Sequence, residues 1–183
     1  MKKNKIAFIP LLGVKGLLTW LLLLMLAVSA CKKKNADPEP DLPPETQIGA
    51  DTFGCYINGV PWKAQGDGGW GRSLITLDQS GGNGWFVLIG NDFTKKEWIK
   101  LFHINILGTG KYSLGKNTMG GIGYYTQNGY FMSSDATEFS AELTITRFDT
   151  LARIFSGRFW FKMTMPDGKI IDVTSGRFDI KLL

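Results

Sequence analysis

Residues 155–164 read FSGRFWFKMT, and this decapeptide constrains the fold more than any other stretch. Phe155, Gly157, Phe159, Phe161 and Met163 alternate with Ser156, Arg158, Trp160, Lys162 and Thr164. Side chains of a strand point to opposite faces with a period of two, so the segment reads as a half-buried antiparallel strand. After Cys31 no window carries a helical period. The chain instead repeats short apolar runs punctuated by glycine: TFGCYI, VPWKA, SLITLD, WFVLIGND, EWIKLFHINIL, KYSLG, IGYYTQ, YFMS, EFSAELTITRFD, RIFSGRFWFKMTM, KIIDVTS and GRFDIKLL. Asn58-Gly59 and Asn128-Gly129 each stand between two such runs, the strongest short signal for a type I′ hairpin. The expected fold is all-β, a mostly antiparallel β-sandwich or flattened barrel.

The phrase SGRF occurs twice, at Ser156–Phe159 and Ser175–Phe178, in strands joined by Pro166-Asp167-Gly168. A hairpin with Met165 opposite Lys169 puts Met163 on Ile171, Phe161 on Val173, and Lys162 on Asp172 as a cross-strand ion pair. Ile171 and Val173 then point inward at odd positions, whereas Phe178, Ile180 and Leu182 form the apolar set at even ones. Strict alternation forbids both, so one residue must be absorbed between them. The pattern predicts a β-bulge at or next to Ser175-Gly176, with Gly176 supplying the unusual backbone and Arg177, Asp179 and Lys181 facing water.

The first thirty residues differ in kind. MKKNK is a positive start, Leu17 to Val28 is an apolar run, and the small residues Ser29 and Ala30 precede Cys31. This is an export signal over residues 1–30. A cysteine directly after the small residues fits the bacterial lipobox, in which the Cys31 sulfur takes diacylglycerol, the signal is cut, and the new amine is acylated, for example with palmitate. Two other fates compete. A membrane span needs about 20 apolar residues, and Gly16 to Ala30 is too short. A disulfide with Cys55 is the other, because exported proteins often pair cysteines. Lipidation leaves Cys55 alone, buried on a strand as a small apolar residue.

Residues 31–50 follow as a tether: Lys32, Lys33 and Lys34 stand at the headgroups or in solvent, and Pro38, Pro40, Pro43 and Pro44 lie among acids. So few apolar residues cannot fold, and proline extends the chain at ~3.1 Å per residue. The β domain is expected over residues 51–183. Charge sorts the same way. Of 21 basic and 16 acidic residues, Lys2, Lys3, Lys5 and Lys15 precede Cys31, leaving 17 against 16. The mature net charge of about +1 offers no clustered basic face for nucleic acid.

The layout of TFGCYINGVPWKA, GKYSLG, SAELTITRFD, FSGRFWF and VTSGRFDIKL resembles a family of lipoproteins from Bacteroidota whose globular domain is of unknown function. The resemblance spans roughly residues 51 to 183. It implies an envelope lipoprotein with a β-rich domain and brings no catalytic residue with it. Within that group, surface display goes with acidic residues directly after the lipidated cysteine. Here that position holds KKK, so the expected location is the outer membrane, on its periplasmic face.

Little in the chain points to catalysis. His103 is the sole histidine, and a triad would have to use it. His103 and Cys55 alone are too few for zinc. The runs GDGGWG, SGGNGW and MGGIG lack the strand-to-helix context of phosphate loops. A pair of carboxylates for glycoside hydrolysis is a matter of spatial separation, which the sequence does not select. No metal or cofactor is expected.

The aromatics are the remaining signal. Trp62, Trp70, Trp85, Trp98, Trp160, Tyr124, Tyr125 and Tyr130 are many for this length, and Trp70 and Trp85 adjoin glycine-rich loops while Trp160 lies on a polar face. Trp70, Trp85 and Trp160 are the expected ligand-stacking residues, for a glycan or an envelope protein. The leading expectation is a membrane-anchored lipoprotein presenting a non-enzymatic binding domain. A structural or accessory subunit of an envelope complex is the first alternative and a glycan hydrolase the second.

Overall fold

The computed structural model describes residues 41–67, 75–78, 85–115 and 118–182, all within one compact unit, Glu39–Leu183. Among the described residues there are eleven strands: β1 (Thr52–Ile57), β2 (Val60–Lys63), β3 (Ile75–Asp78), β4 (Phe86–Asp92), β5 (Glu97–His103), β6 (Gly110–Leu114), β7 (Gly120–Thr126), β8 (Gly129–Met132), β9 (Glu138–Asp149), β10 (Ile154–Thr164) and β11 (Ile170–Lys181). They make two antiparallel sheets, β2-β1-β11-β10-β9-β6 and β3-β4-β5-β7-β8. The sheets do not merge. A lone bridge between Gln65 and Asp92 touches one seam, so the fold is a sandwich and the barrel alternative falls away.

Alternation fills the space between the sheets. Phe53, Cys55, Phe159, Phe161, Met163, Val173 and Phe178 come from the first sheet, and Phe86, Leu88, Ile99, Leu101 and Ile122 from the second. Each such large side chain contributes roughly 1.5–3 kcal/mol on burial. Phe53 makes the inter-sheet fit explicit: a Cβ on Gly90 of β4 would lie 2.6 Å from its ring. Cys55 is a free, fully buried thiol, and burial holds its pKa far above the ordinary value.

The hairpin at Asn58-Gly59 forms as expected, with both residues at positive φ (49° and 78°). The second hairpin is shifted by one: Thr126 pairs with Gly129, so the two-residue loop is Gln127-Asn128. Neither of these two residues takes positive φ, which removes the need for glycine at the second loop position.

The last hairpin has the expected register. Met163 opposes Ile171, Lys162 opposes Asp172 and Phe161 opposes Val173. No ion pair joins Lys162 to Asp172 among the described residues. Asp172 instead donates its backbone N–H to Asn58 Oδ1. Phe159 opposes Gly176, so Trp160 alone faces both Thr174 and Ser175, and the bulge lies where the alternation placed it. The strained backbone belongs to Ser175 (φ 53°) and not to Gly176.

Two expectations for β11 are corrected. Arg177 and Asp179 are buried, at 5% and 1% exposure, not solvated. The cause is the segment before β1. Leu42 is already buried, and residues 43–50 cross the outer face of the first sheet. Packing against the sheet therefore begins near Leu42 and not at Asp51. Asp179 accepts hydrogen bonds from Thr46 Oγ1, Ser156 Oγ and the backbone N–H groups of Ile48, Gly49 and Ala50. Arg177 Nη1 donates to the Pro43 carbonyl, and Arg158 pairs with Glu45. A polyproline segment has few side chains to bury, but its unpaired backbone groups are free to bond a sheet that offers charged partners.

Candidate functional site

Trp98 of β5, Tyr125 of β7 and Tyr130 of β8 form one row across the second sheet. Trp98 stands opposite Tyr125, Tyr125 opposite Tyr130, and Asn91 of β4 extends the row on the far side. Alternation fixes which way they face. Ile99 and Tyr124, the next residues along, are in the core, so the row lies on the outer surface. The Trp98 and Tyr125 rings are stacked, 5.5 Å apart with planes 7° from parallel. Tyr130 leans toward Trp98, at 5.1 Å and 50°. Gly123 makes this lean feasible, because a Cβ there would lie 2.8 Å from the Tyr130 hydroxyl oxygen. Tyr125 is 38% exposed and Tyr130 47%.

The surroundings are mixed. Lys100 occupies the next row, with its Nζ 5.8 Å from the Phe102 ring centroid. Gln127 in the adjoining loop donates its side-chain amide to the Lys95 carbonyl. Burial, with a smaller contribution from Asp135, raises the Tyr130 pKa, so its hydroxyl stays protonated at neutral pH. The row offers apolar ring surface with neutral and cationic hydrogen-bond donors beside it.

Of the aromatics expected from sequence, Trp85 and Trp160 are described, and they stand at different sheets. Cys31 and Trp70 lie outside the described residues. Trp85 is 46% exposed just before β4, and Trp160 is 43% exposed on β10 between Arg158 and Lys162. Trp160 faces outward from the first sheet and the Trp98 row outward from the second, on opposite sides of the sandwich. Trp85 stands six residues from Asn91, about 20 Å at ~3.4 Å per residue. Trp62 is buried, with its Nε1 donating to Glu97 at 3.0 Å.

Asp92 is held by structural hydrogen bonds, whereas the buried Nδ1 of His103 has no hydrogen-bond partner among the described residues. Asp92 accepts from Gln65, from the Thr94 backbone and hydroxyl, and from the Lys95 backbone, tying the two sheets at their seam. Burial raises its pKa, but the hydrogen bonds outweigh that and leave it below the ordinary carboxylate value. His103 lies edge-on to Tyr112, 5.3 Å away, and burial lowers its pKa against a smaller opposing effect of the Ile104 backbone. Among the described residues no group of three or more His, Cys, Asp or Glu is arranged to hold a metal. A cavity of about 80 Å³ lies beneath residues 44–47, against Arg158 and Arg177. Ligand pockets are usually roughly 300–1,000 Å³.

No curated protein and no solved structure matches the chain. Residues 80–179 match the family described as a domain of unknown function (DUF6252), a match that takes in Trp98, Tyr125, Tyr130, Trp160 and Asp179 and stops short of the strap over residues 42–50. That is more than half of the sequence, and the chain belongs to this family.

Proposed function

We propose that the protein is an envelope lipoprotein, anchored through Cys31 to the periplasmic face of an outer membrane, and that its sandwich is a non-enzymatic binding module. The observation that carries the binding role is the row Trp98-Tyr125-Tyr130, three rings from three strands gathered on one outer face. A ring left exposed on a sheet forfeits burial energy of a few kcal/mol, and here two exposed rings, Tyr125 and Tyr130, gather around the partly buried Trp98. The strap supports the arrangement. It is bonded to the outer face of the first sheet, the face opposite the row. Ten residues, 32–41, separate Cys31 from Leu42. At ~3.1 Å each they reach about 30 Å, enough to clear the headgroups.

A second reading rests on the same face. Val87, Ile89, Phe102 and Met132 are partly exposed beside the row, which favours a protein partner seated on the whole sheet and an accessory role in an envelope complex. Capture of the intact lipoprotein from its own membranes, before and after Tyr125→Ala/Tyr130→Ala, tests the binding role. Loss of the captured material in the double variant is expected. Capture that ignores these residues and fails with Trp160→Ala moves the site to the other sheet. Acyl labelling of the Cys31→Ser chain tests the anchor: surviving label excludes it. Digestion of the domain by protease added to intact cells contradicts the periplasmic location.

A further inference from the structure

Resting on the binding role just proposed, we infer that the Trp98-Tyr125-Tyr130 row is a saccharide site, where the apolar face of a pyranose chain stacks on the rings. The extent of the exposed surface decides between occupants. A large aromatic side chain presents about 200 Å², so Tyr125 at 38% and Tyr130 at 47% leave on the order of 200 Å² between them. A stable protein partner covers ~800 Å² on each side. The remaining apolar residues of this face, Val87, Ile89, Phe102 and Met132, are each less exposed than these two rings, so the open aromatic surface is a strip along the row. The exposed aromatic surface therefore suits a narrow ligand.

Shape and chemistry agree. The row crosses four strands from Asn91 to Tyr130, a strip of about 14 Å at ~4.8 Å per strand. That is the scale of a short oligosaccharide lying flat. A pyranose ring carries C–H groups on its faces and hydroxyls around its rim. The C–H face complements an aromatic ring, whose π cloud is negative. The rim hydroxyls fall toward the sides of the strip, where Lys100 stands one row away and the Gln127 amide, one N–H of which is given to the Lys95 carbonyl, carries a second N–H. Gly123 keeps the floor low beneath Tyr130. The stacked Trp98–Tyr125 pair holds its rings in place before ligand arrives, which reduces the ordering cost of binding.

Calorimetric titration of the purified full-length lipoprotein in detergent tests this, with cellohexaose, xylohexaose, mannohexaose, chitohexaose and peptidoglycan glycan strands as probes. At least one is expected to bind, and Tyr125→Ala/Tyr130→Ala is expected to weaken it about tenfold or more. Tyr125→Phe/Tyr130→Phe keeps the rings and should stay within about threefold of the parent. Circular dichroism of each variant confirms that it is folded. Absence of binding with every probe, or binding unchanged in the double alanine variant, overturns the inference. If saccharides fail while membrane capture still depends on Tyr125 and Tyr130, the occupant is a protein and the binding role stands. If both fail, the row is not the site.

Discussion

Gly176 stands directly opposite Phe159, and Gly157 directly opposite Phe178. Each SGRF phrase thus supplies the glycine on which the phenylalanine of the other lies. A Cβ at Gly176 would sit 2.5 Å from the Phe159 carbonyl oxygen and 2.6 Å from its ring, and one at Gly157 would sit 2.7 Å from the Phe178 ring. The repeated phrase is a mutual packing device of β10 and β11.

Gly176→Ala should therefore destabilise the domain by ~1–3 kcal/mol or more, since backbone and a core ring must both shift. Gly108 is the control. Nothing lies within 4 Å of its added Cβ, and its φ is unstrained. Gly108→Ala should be neutral or stabilising by up to ~1 kcal/mol through the unfolded state. Urea denaturation of the two variants checks the pair. Equal midpoints would show that steric contact is not what fixes Gly176.

The bulge beside Gly176 was legible because alternation is a strict constraint: Val173 and Phe178 cannot share a face without an extra residue. Its cause was less legible. Sequence reasoning assigned the unusual backbone to glycine, but Ser175 adopts it, and Gly176 is needed for space. The strap was not legible either. Its prolines and acids have no period, and the burial of Asp179 depends on backbone N–H groups more than a hundred residues away in sequence. The aromatic row has the same difficulty. Trp98 and Tyr125 meet because β5 pairs with β7 while β6 joins the other sheet, a topology that no local pattern encodes. The alternation of Trp98, Lys100 and Phe102 with Ile99 and Leu101 was visible, and it marks these residues as outward-facing without saying what they face.

Asp179 should make the domain sensitive to acid. Burial pushes its pKa up, but the hydrogen bonds from Thr46, Ser156, Gly49 and Ile48 together outweigh that and set it below the ordinary value. A depressed folded pKa contributes stability that is complete above the unfolded value near ~3.9, and that is lost as pH falls through the folded value. Asp92 acts in the same direction. The thermal midpoint should decline modestly below about 6.5, where burial disfavours the protonated His103, and more steeply below about 4 as the carboxylates are protonated. Asp179→Asn should lower stability at pH 7 and flatten part of that fall, leaving the part due to Asp92. An acid slope identical to the parent would remove Asp179 from the account.

The stacked pair Trp98–Tyr125 should couple weakly. Offset aromatic pairs are worth ~0.5–1.5 kcal/mol beyond their burial. A double-mutant cycle with Trp98→Ala and Tyr125→Ala should return a coupling in that range. A coupling several times larger would mean that the row is a structural element of the sheet, with its exposure incidental.

The strap resolves a conflict within the hairpin it covers. Arg158 and Arg177 stand directly opposite each other, and like charges so placed are destabilising. Glu45 accepts hydrogen bonds from Nε and Nη2 of Arg158, while Arg177 donates to the Pro43 carbonyl. Arg158 and Glu45 are substantially exposed, so the pair by itself contributes only ~0.2–1 kcal/mol. Removing Glu45 has a second effect, because the opposed guanidinium groups then lose the carboxylate that sits on Arg158. Glu45→Ala should destabilise by about 1 kcal/mol at low salt and by much less in 1 M salt, where the screening length is ~3 Å. It should also expose residues 42–50 to protease before the sandwich unfolds. The sign of a double variant separates repulsion from simple loss of a bond. If repulsion dominates, adding Arg158→Ala to Glu45→Ala restores stability, since one of the opposed charges is gone. If Arg158→Ala deepens the loss, the strap is held by its hydrogen bonds alone and the opposed arginines are tolerated without it.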